Sequence, residues 1–551
     1  MSGLILLSVG LLGQWLLGVA VAQMLLRWRG RAERWQDLGA VEPDSQLDEV
    51  TSWAELTGLG LVLGIGLTAW GLFLWSLCGG TLGRGVSVSF TVIGFVCGGP
   101  VIRRRFRLGR VTSHGARDRQ SFSNGSLASL DERRDAAWCR VSQWLIGGLA
   151  VAAFAQTLLT PHHFWDERSI FAIKGLVLAA DGSVQSRDLH DPDFVQYHPR
   201  YPLLIPLAEQ HVYALLGSVD DRLSKVVFPL LYLGLVLTMA GVLSRRVQPG
   251  AAWLFALLLA TVPVLMPYEL GFLSGQADAP MACFHGLALL YLWDALESAA
   301  CSHSGEPMTI ASQLRRVWLG SSIIAGLCGG LAAFTKDEGI AFLLVDVVAL
   351  SLVAGGSALM RSRAAGADPL SGVRGSQSRR RSDGTAVNGT TVMALVSVVL
   401  GAVIVLAPWF WHRRGLALTT EMDYFGRASF SLVIERLPVL AWELSHLAHR
   451  MFWEWPTWGL HWWLMLIALV FAPRRAVSAA QGLLLLDVTG SLLSLMVAGM
   501  LAPAQLDEHI GGSSPRFLMQ LVPVAVLFAA GQLAPRREPR LAVDRAGESN
   551  C

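Results

Sequence analysis

The chain is poor in charge: Asp, Glu, Lys and Arg make up 15% of its 551 residues, whereas hydrophobic types make up 53%. No nucleic-acid partner is expected of such a composition. The sequence also lacks the ten-residue stretches of alternating apolar and polar character that a membrane β-barrel requires, because its apolar runs are unbroken. Its seven cysteines are scattered and form no close Cys-x-x-Cys pair, which leaves no disulfide framework or zinc motif to read. No glycine-rich phosphate loop follows a strand and no nucleotide-binding domain is recognisable, so an ATP-driven pump is not expected. Neither terminal segment is long enough for a soluble catalytic domain.

Apolar runs are present instead, near 4–26, 56–78, 86–102, 141–160, 224–243, 251–268, 279–293, 317–334, 340–357, 391–411, 458–472, 481–500 and 517–533. They predict an all-α, polytopic transmembrane protein of about thirteen spans, since closed helices satisfy their own backbones in lipid. The stretch 203–217 holds Pro206, Glu209, Gln210 and His211 and is too short and polar to span, so an interfacial or re-entrant helix is expected there.

With the N-terminus outside, 30 of the 44 Lys and Arg residues fall in inner segments, most densely around Arg103-Arg104-Arg105 and Arg379-Arg380-Arg381. Val19-Ala20-Val21-Ala22 resembles a signal-peptidase site. No cation precedes that run, however, and Arg27, Arg29 and Arg31 follow it, which suits an uncleaved anchor. Four regions result: an N-terminal three-span module (1–102), a cytoplasmic basic linker (103–140), a transmembrane core (141–533) and a cytoplasmic tail (534–551). The Ser-, Gly- and Arg-rich stretches 103–140 and 358–390 lack helical periodicity and predict mobile, solvated linkers. Asn124-Gly125-Ser126 and Asn388-Gly389-Thr390 match the glycosylation pattern but fall on the inner side.

The long first outer loop, 161–223, opens with Trp165-Asp166-Glu167-Arg168. Carboxylates at a membrane surface are costly and therefore candidate chemistry. Ile170, Ile173 and Val177 then share one helical face, as a helix lying on the membrane would arrange them. His198-Pro199-Arg200-Tyr201-Pro202-Leu203 and Arg222-Leu223 follow, and later come Asp278 at the start of a span, Lys336 after Gly330-Leu331-Ala332-Ala333-Phe334-Thr335, and Arg516-Phe517. All fall on the outer side. Cations and carboxylates gathered there suit a phosphorylated lipid head group.

Each element also has a plainer explanation. Asp166 and Glu167 suit a solvated helix start, and Asp278 suits an N-terminal cap. Arg200, Arg222, Lys336 and Arg516 suit interfacial anchors, and Lys336-Asp337-Glu338 a charged turn. His162 and His163, adjacent on a helix, point apart and make poor metal partners. Trp453, Trp455, Trp458, Trp462 and Trp463 suit an aromatic belt.

The order and sidedness of these elements, over residues 141 to 533, resemble the integral-membrane glycosyltransferases of the GT-C fold that use polyprenyl-phosphate sugars, such as protein O-mannosyltransferases and lipid A aminoarabinose transferases. In that superfamily a first core span is followed by an outer Asp-Glu pair, a Lys-Pro-Pro-Leu-like segment, an Arg-Leu, an Asp opening a later span, a Gly-Leu-Ala-x-x-x-Lys and an Arg-aromatic before the last span. Asp166-Glu167, His198 to Leu203, Arg222-Leu223, Asp278, Gly330 to Lys336 and Arg516-Phe517 stand in those places. The lysine before Pro-Pro has no counterpart here, and neither do the three leading spans.

The resemblance implies a GT-C-like transferase in a bacterial inner membrane, acting on the extracytoplasmic face. Its partners would be a polyprenyl-phosphate-linked sugar donor, a lipid, glycan or protein acceptor with a hydroxyl, and the surrounding lipids. Neither a cofactor nor a metal is indicated. Asp166 would act as general base, with Glu167 and Asp278 as supporting carboxylates, Glu167 holding an arginine and Asp278 orienting the acceptor or sharing a proton. Arg200, Lys336, Arg516 and Arg222 would bind the donor phosphate. A carrier or flippase for a lipid-linked substrate is the alternative. Carriers place ionisable residues near the bilayer midplane, whereas the charges read here gather at outer helix ends.

Overall fold

The computed structural model describes residues 2–30, 52–122, 130–266, 270–301, 308–366, 374–417, 429–501 and 506–537. Asn124-Gly125-Ser126 and residues 538–551 of the expected tail lie outside them. The helices are α1 (Ser2–Gly30), α2 (Trp53–Leu77), α3 (Arg84–Phe122), α4 (Leu130–Leu159), α5 (Ile173–Asp181), α6 (Leu204–Leu216), α7 (Val227–Leu243), α8 (Pro249–Ala260), α9 (Asp278–Cys301), α10 (Met308–Thr335), α11 (Glu338–Gly366), α12 (Arg374–Arg413), α13 (Leu440–Trp453), α14 (His461–Phe471), α15 (Ala479–Leu501), α16 (Leu506–Gln520) and α17 (Val522–Leu533). Among the described residues the only β-type pairing is an isolated bridge between Val247 and Arg536.

A helix lies on each of the thirteen apolar runs, although the one on 251–268 ends at Ala260. Among the described residues nine helices are long and apolar enough to cross a membrane, or ten with α16 and the last helix as one bent span, while Pro249–Ala260, Leu319–Thr335 and His461–Phe471 are shorter. The chain is an all-α polytopic membrane protein.

Helix α9 forms the centre, with its apolar window wholly buried, and it packs on α7, α10, α15, α16 and α17. By contrast α3, α4 and α11 bury only 22 to 28% of theirs and form the outer surface of the bundle. Helix α1 meets α2 and α3 through glycines: a Cβ at Gly60 or Gly64 would strike Val19 or the Gln14 carbonyl, and one at Gly94 or Gly98 would strike the Gly13 or Leu16 carbonyl. Small residues spaced by four let backbones approach where apolar burial alone gives helices no preference over lipid. Helices α1 and α2 also pack on α10 and α7, so the first three helices lie against the rest of the bundle.

Several expectations need correction. Most of the two linkers is helical, since α3 runs on to Phe122 and α4 starts at Leu130, and likewise α11 runs to Gly366 and α12 starts at Arg374. Extending an existing helix adds one hydrogen bond per residue without a new nucleus, so polar sequence prolongs spans that periodicity alone would end. Asp135, inside the first of these stretches, accepts the Gly250 amide at 2.8 Å. Of the two alternatives for α6 the interfacial one is overturned, because 11 of its 13 residues are buried, including Glu209, Gln210 and His211. The inward-packing residues are Lys174, Gly175 and Leu178 of α5 with Ile170 and Phe171 of the turn before it, so Ile170 packs as expected while Ile173 and Val177 are only half-buried. The aromatic belt is partial, since Trp458 and Trp462 are buried and Trp453 and Trp455 exposed.

The bundle places charge at both ends. At one end, Glu55 opens α2 behind the capping residue Ser52 and pairs with Arg245 at the close of α7. Asp294 of α9 accepts Arg245 at 2.9 Å and Arg246 at 2.8 Å, and the Tyr291 hydroxyl donates to Glu55 at 3.0 Å. This closed network ties α2, α7 and α9. The opposite end carries the close of α4, the start of α9 and the junction of α10 with α11.

Candidate active site

Four residues from separate segments meet at that opposite end. Asp166 precedes a single π-helical turn, Glu167–Ala172, and its carboxylate pairs with the Arg516 guanidinium. Arg516 is brought there by α16, which meets α17 at a 45° bend where Pro523 supplies no amide to continue the helix. Asp278 opens α9, where a carboxylate suits the positive end of the helix dipole. It accepts the Lys336 ammonium at 2.6 Å and the Gln520 amide at 3.0 Å. Lys336 also pairs with Glu338 at 2.8 Å and lies 5.9 Å from the Phe517 ring centre.

Exposure divides the cluster. The side chains of Asp166 and Arg516 are 24% and 32% exposed, whereas those of Asp278 and Lys336 are 2% and 7%. Burial acts to discharge the Lys336 ammonium, but Asp278 and Glu338 outweigh it and hold the group above the ordinary lysine range. The pair is thus a fixed, charged floor beneath a more accessible Asp166–Arg516 pair.

Glu167 points elsewhere. It is fully buried, pairs with Lys225 at 2.6 Å and His162 Nδ1 at 2.9 Å, and accepts the amides of His163 and Phe164 at 2.7 and 3.0 Å. Its partner is therefore a lysine and a histidine rather than an arginine. Burial would raise its pKa, and the His162 hydrogen bond together with Lys225 overrides that and lowers it. Gly275 makes room for this carboxylate: its φ is +72° and a Cβ there would lie 2.3 Å from Glu167 Oε1. The turn that leads to Asp278 is thereby seated on the residue next to Asp166.

Arg200 and Arg222 do not reach the cluster. Arg200 Nε donates to the Leu416 carbonyl at 2.8 Å, and Arg222 is exposed beside Asp220, which accepts its backbone amide at 2.9 Å. The Arg200 segment nevertheless borders the site through its neighbours. Lys174 Nζ donates to the His198 carbonyl at 2.9 Å and lies 5.6 Å from the Tyr201 ring centre, while His198 holds a φ of +50°. Such a backbone costs a non-glycine residue about 1–3 kcal/mol and persists where the surroundings fix it. Burial pushes Lys174 down to about 7. Asp337 binds Arg413 through two contacts of 2.8 Å and is pushed up to about 6 by burial. Next to Arg413, a cavity of about 590 Å³ is lined by Ser186, Arg187, His190, Trp411, His412 and Arg414, among others.

Sequence reading passed over Lys174, Lys225, His162 as a Glu167 partner, and Glu209. Glu209 sits 3.4 Å from His162 Nε2 inside α6 and is pushed up to about 7 by burial. A polar triplet within an apolar stretch was the available signal. A folded pKa above the ordinary 4.5 means that the native state keeps the proton longer than the unfolded chain, so this stabilisation is complete below about pH 4.5 and lost as pH rises to about 7. His162, also raised although burial opposes it, acts in the same sense. Between pH 5 and 8 the melting temperature of wild type should therefore fall relative to that of Glu209→Gln, which lacks this titration. A difference between the two proteins that stays constant across this range in differential scanning fluorimetry would show that Glu209 does not titrate there.

No protein-family model and no curated protein sequence matches the chain. Among solved structures it is similar to the archaeal oligosaccharyltransferase AglB from Archaeoglobus fulgidus, solved in complex with an inhibitory peptide and a dolichol-phosphate. The TM-score is 0.35 at 12% identity, over 71% of this chain and 50% of that one. The chain thus spans about half the length of that protein, and at this TM-score the likeness does not establish a common fold.

Proposed function

We propose that the chain is a membrane glycosyltransferase of GT-C type, moving a sugar from a polyprenyl-phosphate donor to a hydroxyl acceptor on the extracytoplasmic face. The observation that carries this is the meeting of Asp166, Asp278, Lys336 and Arg516, from four segments, at one end of the bundle. In the reaction the acceptor oxygen attacks the anomeric carbon, the bond from that carbon to the phosphate oxygen breaks, and polyprenyl phosphate leaves with the bonding electrons. The acceptor proton passes to Asp166. A glycosidase needs a second carboxyl as acid because it expels an alkoxide, whereas a phosphate leaving group is already weakly basic and needs cations instead.

In this reading the two pairs do different work. Lys336, held by Asp278, offers a fixed positive charge. Arg516 has a planar fork suited to phosphate, and on donor binding it exchanges Asp166 for the phosphate oxygens. That exchange leaves Asp166 with an open acceptor position for the substrate proton. Asp278 holds Lys336 in this scheme, and Glu167 supports the turn. The basic cavity beside Arg413 is where the acceptor or the remainder of the donor head group would lie.

The test is a transfer assay on purified full-length protein with a short-chain polyprenyl-phosphate sugar. Arg516→Ala should lower kcat/KM for the donor about 10²–10³-fold, as loss of a preorganised electrostatic donor does elsewhere, and Arg516→Lys should retain part of it. Unchanged donor dependence in both would reduce Arg516 to an interfacial anchor.

A carrier remains the second reading because of a specific observation. His285, Asp346 and Asp487 cluster within the bundle on three of the spanning helices, where the sequence reading expected no charge. Reconstitution into vesicles separates the two: translocation of a lipid-linked sugar without any transfer would favour the carrier.

A further inference from the structure

Three ionisable side chains meet in the interior of the bundle, away from both charged ends. His285 lies two turns into α9, Asp346 about two turns into α11 and Asp487 about two turns into α15. All three are buried, each exposed by 2% or less. His285 Nε2 is 3.5 Å from Asp346 Oδ1 and 3.4 Å from Asp487 Oδ1, and the three ligand atoms all lie within 4.8 Å of one another.

These distances are too long for hydrogen bonds, which place nitrogen and oxygen at about 2.7–3.2 Å. They match something else. Two ligands on a tetrahedral metal with bonds of about 2.0–2.2 Å stand about 3.3–3.6 Å apart. A second observation points the same way: two of the three facing atoms, His285 Nε2 and Asp346 Oδ1, are buried without a hydrogen-bond partner. Orphaned polar atoms in a dry interior are costly unless something else satisfies them. Among the described residues, no Lys or Arg forms an ion pair with either aspartate.

We propose that His285, Asp346 and Asp487 bind one divalent cation of the zinc class. Neutral imidazole and two carboxylates carry a charge of −2, so an M²⁺ ion makes the site electrically neutral where the surroundings are apolar. Imidazole nitrogen with carboxylate oxygen suits zinc or cobalt, and it suits the oxygen-seeking calcium and magnesium less. The fourth position falls to water or to the Ser491 hydroxyl, which lies one turn along α15 and 3.4 Å from Asp487 Oδ1. Phe342, with its ring centre 5.0 Å from that of His285, closes one side. The ion joins α9, α11 and α15, and because Asp278 and His285 are seven residues apart they lie on one face of α9, two turns from each other. The site is thus a staple beneath the Asp278–Lys336 floor. It stands independently of the glycosyltransferase proposal, and it removes the observation that favours a carrier.

The experiment uses full-length protein purified in detergent through a tag without histidine, stripped with chelator and titrated with Co²⁺. Uptake of one ion per chain with the intense visible absorption of four-coordinate cobalt is expected, together with a higher melting temperature and displacement of the colour by Zn²⁺. His285→Ala, and separately Asp487→Asn, should abolish the spectrum. If either fails to fold, the wild-type spectrum still decides, because adventitious surface cobalt is hydrated, six-coordinate and pale. Absence of the four-coordinate spectrum in wild type, or its persistence in the His285→Ala, Asp346→Asn, Asp487→Asn triple variant, would overturn the proposal and leave a triad that shares protons.

Discussion

Asp166→Asn should lower the turnover of sugar transfer by about two to four orders of magnitude, the range for loss of a general base. The substitution keeps the shape of the side chain and removes its ability to take a proton. It also removes the charge that holds Arg516. Since both partners are partly exposed, the lost ion pair should cost no more than about 1 kcal/mol of stability, so folding and insertion should survive. The same loss releases Arg516 towards the donor phosphate. Donor KM should therefore stay level or fall while kcat collapses, a split that a merely structural aspartate would not produce. Near-normal turnover in purified Asp166→Asn, matched to wild type in melting temperature, would sink the assignment. A rise in donor KM with unchanged kcat would instead make Asp166 part of the binding surface.

The fold class and the meeting of four distant residues were legible in the sequence for a common reason: both depend on where apolar runs start and stop. A membrane fixes helix ends to its two surfaces, so residues at alternate ends of successive runs share a side before any contact is known. Asp166, Asp278, Lys336 and Arg516 follow from that rule. What it cannot supply is direction within a side. Arg200 and Arg222 sit at comparable places in the chain, yet one turns to the Leu416 carbonyl and the other to solvent. Asp166 and Glu167 are adjacent, yet the π-helical turn sends one to Arg516 and the other inward to Lys225. His285, Asp346 and Asp487 were illegible because each stands alone in an apolar run, more than fifty residues from its partners, and only packing of three helices brings them together. The polar helices past Arg107 and Gly356 were missed because composition registers solvation while helix continuation depends on the turn before.

Glu167 and Lys225 should behave in the opposite way to Asp166, affecting the fold and sparing the chemistry. Their side chains are fully buried and 2.6 Å apart, and Glu167 accepts two backbone amides besides. Removing one member of such a pair strands a buried charge, which costs about 3–5 kcal/mol, whereas replacing both by neutral groups of similar size costs far less. Lys225→Met leaves Glu167 facing Glu209 with only His162 to offset them, so it should lower the melting temperature and the folded yield. Glu167→Gln retains the amide contacts but leaves the Lys225 ammonium uncompensated, with a similar loss. The double variant Glu167→Gln, Lys225→Met should recover most of the stability of either single one. Unfolding in mixed micelles supplies the cycle, and strictly additive losses would show that the ion pair contributes nothing. Turnover per folded molecule is the second readout. It should remain near wild type in the double variant, because Glu167 touches no group at the accessible Asp166–Arg516 pair. A fall as deep as that of Asp166→Asn would return Glu167 to the reaction and require the buried pair to open during turnover.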